Sequence, residues 1–195
     1  MELKLPTQAQ LKRAYEDLLT PAFPPSELKP LRAITAMQER GLYRPYCLFD
    51  GEDLVGACFL WYAREGWALV DYLCVAAPLR GRGIGAEALK MLQRAQPSDA
   101  FILESEAVCD APDRDLARRR LLFYERCGAS LAGYDTEIFG VHYRTLLLAP
   151  FAAEDETVMR EHERIYQTSF SEEKYRRYVR IPWDGVSREK TDWDE

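Results

Sequence analysis

Apolar and polar positions change period several times along this chain, and each change marks a different kind of element. In "TQAQLKRAYEDLLTPAF" Leu11, Tyr15, Leu18 and Leu19 recur at helical spacing, which predicts a helix over Thr7–Leu19 that Pro21, Pro24 and Pro25 end. Leu31, Ile34 and Met37 predict a second helix over Ser26–Arg40, closed by Gly41. "MELKLP", ahead of both, reads as a short first strand.

From Tyr43 the period becomes that of strands. "YRPYCLFD", "DLVGACFLWYA" and "WALVDYLCVAA" are rich in aromatic and branched residues, and the turn signals Asp50-Gly51 and Glu65-Gly66 separate them. They read as an antiparallel meander. A glycine-rich stretch leads into a helix over Gly83–Arg94, whose inward face holds Ile84, Leu89 and Leu92 and which Pro97 stops. "AFILESEAV" is a fifth strand, "APDRDLARRRLLFYERCGA" a helix ending at Gly128, and "SLAGYDTEIF" with "VHYRTLLLAP" a last hairpin turning near Gly140. The order β-α-α-β-β-β-α-β-α-β-β predicts an α/β (α+β) fold, a single mixed, mostly antiparallel sheet flanked by helices.

After Pro150 the composition shifts to charged segments, so residues 1–150 read as one domain and 151–195 as a C-terminal extension. "EDETVMREHERIYQ" and "SEEKYRRYVRI" read as two amphipathic helices, and the acidic end "DGVSREKTDWDE" as disordered. Val158, Met159, Ile165 and Tyr166, with Tyr175, Tyr178, Val179 and Ile181, form two faces too apolar to stay wet, so the extension either covers the sheet or joins two subunits as a homodimer.

Composition narrows the chemistry. With 195 residues, 47% of them hydrophobic and 30% charged, the chain fits one filled core, and no apolar run nears the roughly 20 residues of a membrane span. The start lacks the apolar stretch of a signal peptide, which gives a cytoplasmic expectation with no membrane partner. A net charge of −6 disfavours nucleic acid as a partner. Five cysteines without C-x-x-C spacing argue against a disulfide framework and against a zinc site, and read as reduced, mostly buried thiols. The two histidines, His142 and His162, leave little material for a Ser-His-Asp triad, and His142 reads as a hydrogen-bonded strand residue before a lone acid or base.

Between strand and helix stands "LCVAAPLRGRGIGAEALKML". Amides of a first helical turn have no intrahelical partner and carry the positive end of the dipole, so glycines there let a backbone cradle an anion such as a diphosphate. Otherwise the glycines only make a tight loop. Arg80-Gly81-Arg82-Gly83-Ile84-Gly85 resembles the Arg/Gln-x-x-Gly-x-Gly/Ala pyrophosphate signature of the GNAT superfamily of N-acetyltransferases, and "LFYERCGAS" resembles that family's Tyr-containing helix end. "FPPSE" and "RRRLLFYERCG" resemble a subset with a Phe-Pro-x-x-Glu loop. The rival, a dinucleotide fingerprint Gly81-x-Gly83-x-x-Ala86 with Glu104 as ribose-binding acid, makes a reductase. It normally opens a run of parallel βα units, and here it follows a meander.

The resemblance implies a GNAT acyl-CoA acyltransferase fold and an N-acetyltransferase that moves an acetyl group from acetyl-CoA, without a metal, to a primary amine of a small molecule or peptide. The cofactor-binding set it implies is Arg80, Gly81, Arg82, Gly83, Ile84, Gly85 and Ala86 for the pyrophosphate, with Leu73, Cys74 and Val75 pairing with pantetheine. Tyr124 matches the family tyrosine that protonates the departing thiolate; its alternative is a core tyrosine beside Leu121 and Phe123. Glu104 and Glu106 lie on one strand face, and "LES" resembles the "LEV" of ribosomal-protein alanine acetyltransferases, so Glu104 is the first candidate base and Glu106 an attractor of a cationic amine. The alternative is an exposed acidic face. Phe23 and Glu27 match the loop bordering the acceptor pocket, and Asp71 is a further acceptor-side candidate, with Leu69 where the histone-modifying branch has its acid. A different class, a non-catalytic acyl-CoA-binding module, shares the loop and differs in lacking turnover.

Overall fold

The structure, a computed structural model, describes residues 1–191. Thr7 opens the first helix with a capping box, its Oγ1 accepting from Gln10 N at 3.3 Å while Gln10 Oε1 accepts from Thr7 N at 2.9 Å. This helix, α1 (Gln8–Ala14), continues into a π-helical turn, Tyr15–Leu19, and buries Leu11, Leu18 and Leu19. The second helix, α2, spans only Leu31–Glu39 and not Ser26–Arg40. Pro30 is the cause: it disfavours helical geometry at Lys29, so residues 20–30 form turns.

Eight strands form one mixed sheet. They are β1 (Glu2–Lys4), β2 (Tyr43–Asp50), β3 (Asp53–Arg64), β4 (Trp67–Val75), β5 (Ala100–Glu106), β6 (Ser130–Ile138), β7 (Val141–Leu148) and β8 (Val179–Arg180). The order is β1-β2-β3-β4-β5-β7-β6-β8. β4 and β5 are parallel, paired over Trp67–Leu69 against Ala100–Ile102, while β1–β2, β2–β3, β5–β7, β7–β6 and β6–β8 are antiparallel. The remaining helices are α3 (Ile84–Ala95), α4 (Arg114–Arg126), α5 (Asp155–Ser169) and α6 (Glu172–Tyr178). Asp113 caps α4, Oδ1 accepting from Leu116 N at 2.9 Å.

The chain gathers into two compact units, residues 1–62 with 70–97, and residues 63–69 with 98–191. In the first unit, α3 lays Ile84, Ala88 and Met91 on Leu48, Val55 and Leu73. In the second, Phe101, Ile102, Leu103 and Leu146 are fully buried along β5 and β7.

The extension belongs to the second unit. Val158, Ile165 and Tyr166 of α5 are buried, as are Tyr178, Val179 and Ile181, whereas Met159 and Tyr175 are half-buried. The second expected helix stops at Tyr178, and Val179–Arg180 becomes β8 against Glu137–Ile138. The segment beyond, expected to be disordered from Asp184 on, is irregular but bonded as far as Thr191. Trp183 N donates to Asp135 O at 2.7 Å, Arg188 Nη1 meets the buried Glu137 at 2.9 Å, and Thr191 N donates to Phe139 O at 3.2 Å. Gly140, at φ +75°, lets this segment approach, because a Cβ there would stand 2.3 Å from the Glu189 carbonyl oxygen. Residues 192–195, the rest of that expected disordered end, lie outside the described residues. Among the described residues no helix is long and apolar enough to cross a membrane.

Candidate active site

In the first unit β4 ends at Val75, and Ala76 N donates to Val55 O at 3.0 Å. A single 3-10 turn, Ala77–Leu79, then lifts the chain out of the sheet, and Arg80 Nε reaches back to the Val75 carbonyl at 3.2 Å. Gly81 and Gly83 sit at φ +76° and +79°, in the left-handed region that side chains rarely adopt, and nothing lies within 4 Å of where their Cβ atoms would be. Backbone conformation, and not crowding, is therefore what demands glycine at these two positions. Gly83 is the N-cap of α3 and supplies no side chain to it; its carbonyl accepts from Glu87 N at 3.1 Å. The amides of Ile84, Gly85 and Ala86 thus begin the helix without a side-chain cap, beside the exposed Arg80 and Arg82. Such a helix start, cationic and stripped of side chains, suits a bound phosphate.

Leu73 and Val75 are half-buried and Cys74 is buried. Burial pushes the Cys74 thiol up to about 12, as it does the neighbouring thiols of Cys47 and Cys58. A thiol so held stays protonated and unreactive, which leaves Cys74 only its main chain for a ligand. Phe23 packs edge-on against Tyr72 with ring centroids 4.9 Å apart. Glu27 enters through its carbonyl, which accepts from the Tyr72 hydroxyl at 2.9 Å. Asp71 is paired with Lys29 at 2.6 Å and accepts a short hydrogen bond from the Tyr43 hydroxyl. Burial, then the Asp71 charge, raises the Tyr43 phenol well above its ordinary range, so it stays a donor.

The other candidates lie in the second unit. Tyr124 sits on the buried side of α4, its ring 5.3 Å from that of Phe123. Glu106 stands 3.8 Å from Arg120 of α4. Glu104 is gripped more closely: Tyr166 Oη donates to Oε2 at 2.9 Å, and Thr136 Oγ1 donates to Oε1 at 3.3 Å. His162 Nε2 is 3.1 Å from Oε1, off the line a hydrogen bond needs, and its Nδ1 is 3.2 Å from the Tyr134 hydroxyl. Burial, followed by the Glu104 charge, raises the Tyr134 phenol far above its usual range. Glu104 therefore belongs to a polar cluster filled out by α5, and not to an exposed acidic face.

Sequence reasoning did not find the partners of Glu104. His162 and Tyr166 are four residues apart, which puts both on one helical face, but one entered the reading only as a histidine in a count and the other only as an apolar residue. Lys29, the partner of Asp71, had no signal beyond its place before Pro30. His142 has both ring nitrogens against carboxylates, Nδ1 at 2.6 Å from Asp110 and Nε2 at 3.1 Å from Asp135, and its ring centre lies 3.7 Å from that of Trp183, tilted by 32°.

The meander, the glycine-led α3 and the tyrosine on α4 follow one another along the chain in that order. The family model described as "Acetyltransferase (GNAT) family" matches residues 11–129, more than half of the chain. The chain belongs to the GNAT acetyltransferase family. Solved structures agree on the GNAT fold. A GNAT-family protein from Bacteroides thetaiotaomicron superposes with a TM-score of 0.69 at 22% identity, over 84% of this chain and 95% of its own. The ribosomal-protein-S18-alanine N-acetyltransferase of Escherichia coli gives 0.58 at 15%, over 78% and 95%. A Bacillus subtilis acetyltransferase in complex with CoA gives 0.51 at 16%, over 77% and 97%. At these identities the likeness speaks for the GNAT fold alone. No sequence relative was found among curated proteins.

Proposed function

We propose that this GNAT protein is an N-acetyltransferase that carries an acetyl group from acetyl-CoA to a primary amine of a small molecule or peptide. The observation that carries the reading is the loop into α3, where left-handed Gly81 and Gly83 deliver an uncapped helix start beside Arg80 and Arg82. That device fits the CoA pyrophosphate, and a Bacillus subtilis acetyltransferase of the same fold has been solved in complex with CoA. Ile84, Gly85 and Ala86 supply amides, Arg80 and Arg82 a screened positive field, and the main chain of Leu73, Cys74 and Val75 pairs with pantetheine.

Aminolysis of a thioester forms an amide C–N bond and breaks the C–S bond, and a proton passes from the amine to the thiolate in the process. The amine must be neutral to attack. Glu104 takes the amine proton directly or through water, and Tyr124 gives a proton to the departing sulfur, as the family motifs imply. Phe23, Glu27, Asp71 and Glu106 border the acceptor. The binding-module reading has no feature in its favour beyond the shared loop.

Incubation of the full chain with acetyl-CoA and a panel of primary amines, with free thiol followed, tests the reading. Repeated turnover with one amine class supports it. Stoichiometric binding of acetyl-CoA with no thiol released by any amine overturns it in favour of the binding module.

A further inference from the structure

Lys29 and Asp71 form an ion pair at 2.6 Å with side chains only 3% and 8% exposed. A pair so enclosed is a poor means of fastening a loop, since apolar residues of similar size do as well without the desolvation cost. The surroundings are specific to an ammonium ion. Lys29 Nζ lies 4.4 Å from the centre of the Trp61 ring and 5.5 Å from that of Tyr72, while Asp71 takes its other hydrogen bond from Tyr43. One carboxylate and two aromatic faces make a cage that recognises an alkylammonium group by charge and by ring quadrupole.

The occupant comes from a segment built of turns. Residues 20–30 hold no helix or strand beyond the end of the π-helical turn, and Pro24, Pro25 and Pro30 punctuate them. Two hydrogen bonds of the Tyr72 hydroxyl hold the segment, one from Lys29 N at 2.7 Å and one to Glu27 O at 2.9 Å, with Phe23 packed on the same ring. Emptying the cage strands a buried carboxylate, whereas exchanging one ammonium for another keeps the charge paired. Pairing of the buried carboxylate thus favours a cationic amine over a neutral molecule of the same size as a replacement occupant.

We infer that the Asp71–Trp61–Tyr72–Tyr43 cage is the seat for the ammonium group of a primary alkylamine, and that Lys29 is its internal occupant, displaced when the amine binds. Resting on the acetyl-transfer reading, this makes the bound molecule the acceptor: the seat takes it up as the ammonium ion, and its nitrogen gives up that proton, as proposed above, before it attacks. Asp71 precedes Leu73 by two residues on β4, about 7 Å along a strand, so the seat adjoins the backbone assigned to pantetheine.

The probe is n-butylammonium chloride, with n-butanol and equal sodium chloride as controls, applied to the full chain. In Lys29→Ala, calorimetry is expected to show n-butylammonium bound at least about tenfold tighter than by the wild type, because no internal competitor remains, and Lys29→Ala/Asp71→Asn is expected to lose it. In the wild type, which needs no altered fold, n-butylammonium and not n-butanol is expected to speed hydrogen exchange at the Lys29 amide as the segment leaves. A folded Lys29→Ala that keeps its acetyl-CoA affinity and binds the amine no better than wild type overturns the cage. So does an unchanged Lys29 exchange rate under saturating amine. Amine bound in Lys29→Ala and lost in the double variant, with no thiol released by any amine, upholds the cage and removes the acetyl-transfer reading instead.

Discussion

The hydroxyl of Tyr166 donates to Glu104 Oε2 at 2.9 Å, so a residue of the C-terminal extension holds the carboxylate proposed as base. The carboxyl side chain is 13% exposed and Tyr166 is buried, so water replaces the bond poorly. Tyr166→Phe is expected to lower unfolding free energy by about 1.5–3 kcal/mol, the range for hydrogen bonds to charged groups. Urea denaturation of the single variants and of Tyr166→Phe/Glu104→Gln reads the coupling; additive losses would mean that the bond contributes nothing to stability.

Glu104→Gln keeps the shape of the side chain and removes its basicity. Turnover is expected to fall most below the pKa of the acceptor amine and to recover in part as pH rises, because more amine is then already neutral. A loss of equal size at every pH assigns Glu104 to positioning.

Tyr124→Phe retains the packing on Phe123 and deletes one oxygen. If the phenol protonates the thiolate, turnover falls by roughly 10²–10⁴ while acetyl-CoA affinity changes little. An active Tyr124→Phe enzyme returns the residue to the core of α4.

Gly83→Val should weaken acetyl-CoA binding far more than Arg82→Ala. The first forces a branched side chain into φ +79°, whereas the second removes an exposed cation that salt already screens. Titration calorimetry decides, and equal affinities of Gly83→Val and wild type count against backbone recognition.

Glu161 accepts from Arg64 Nε at 2.8 Å, and that bond holds its carboxyl below the ordinary value of 4.5. A depressed folded pKa contributes stability that is whole above the unfolded value and is lost as pH falls through the folded one. Between pH 6 and pH 3 the wild type should therefore lose more Tm than Glu161→Gln, in which this proton linkage is absent. Parallel Tm curves would show that Glu161 carries no linkage.

The meander, α3 and the final hairpin were legible because each obeys a local rule: alternation, a proline stop, or a glycine at a turn. The start of α2 was misread because Leu31, Ile34 and Met37 fix a periodicity without fixing where it begins, and Pro30 decided that. Val179 and Arg180 read as the end of a helix, yet the open edge of β6 recruited them as β8. Glu104 was visible as a carboxylate in a strand, but its surroundings were not, because 62 positions separate it from Tyr166 and no local pattern encodes that pairing. Asp71 was found and Lys29 was not, for the same reason across 42 positions.

β8 is short, yet with Trp183 it closes the outer side of β6 at Asp135, Glu137 and Ile138. An unpaired strand edge is a template for other chains. Synthesis runs from the N-terminus, so β6 and β7 exist before Val179–Trp183 leave the ribosome, and for that interval the sheet carries a sticky border. A chain stalled in the stretch from α6 to Trp183 would hold every residue proposed for chemistry and still offer that border to other chains.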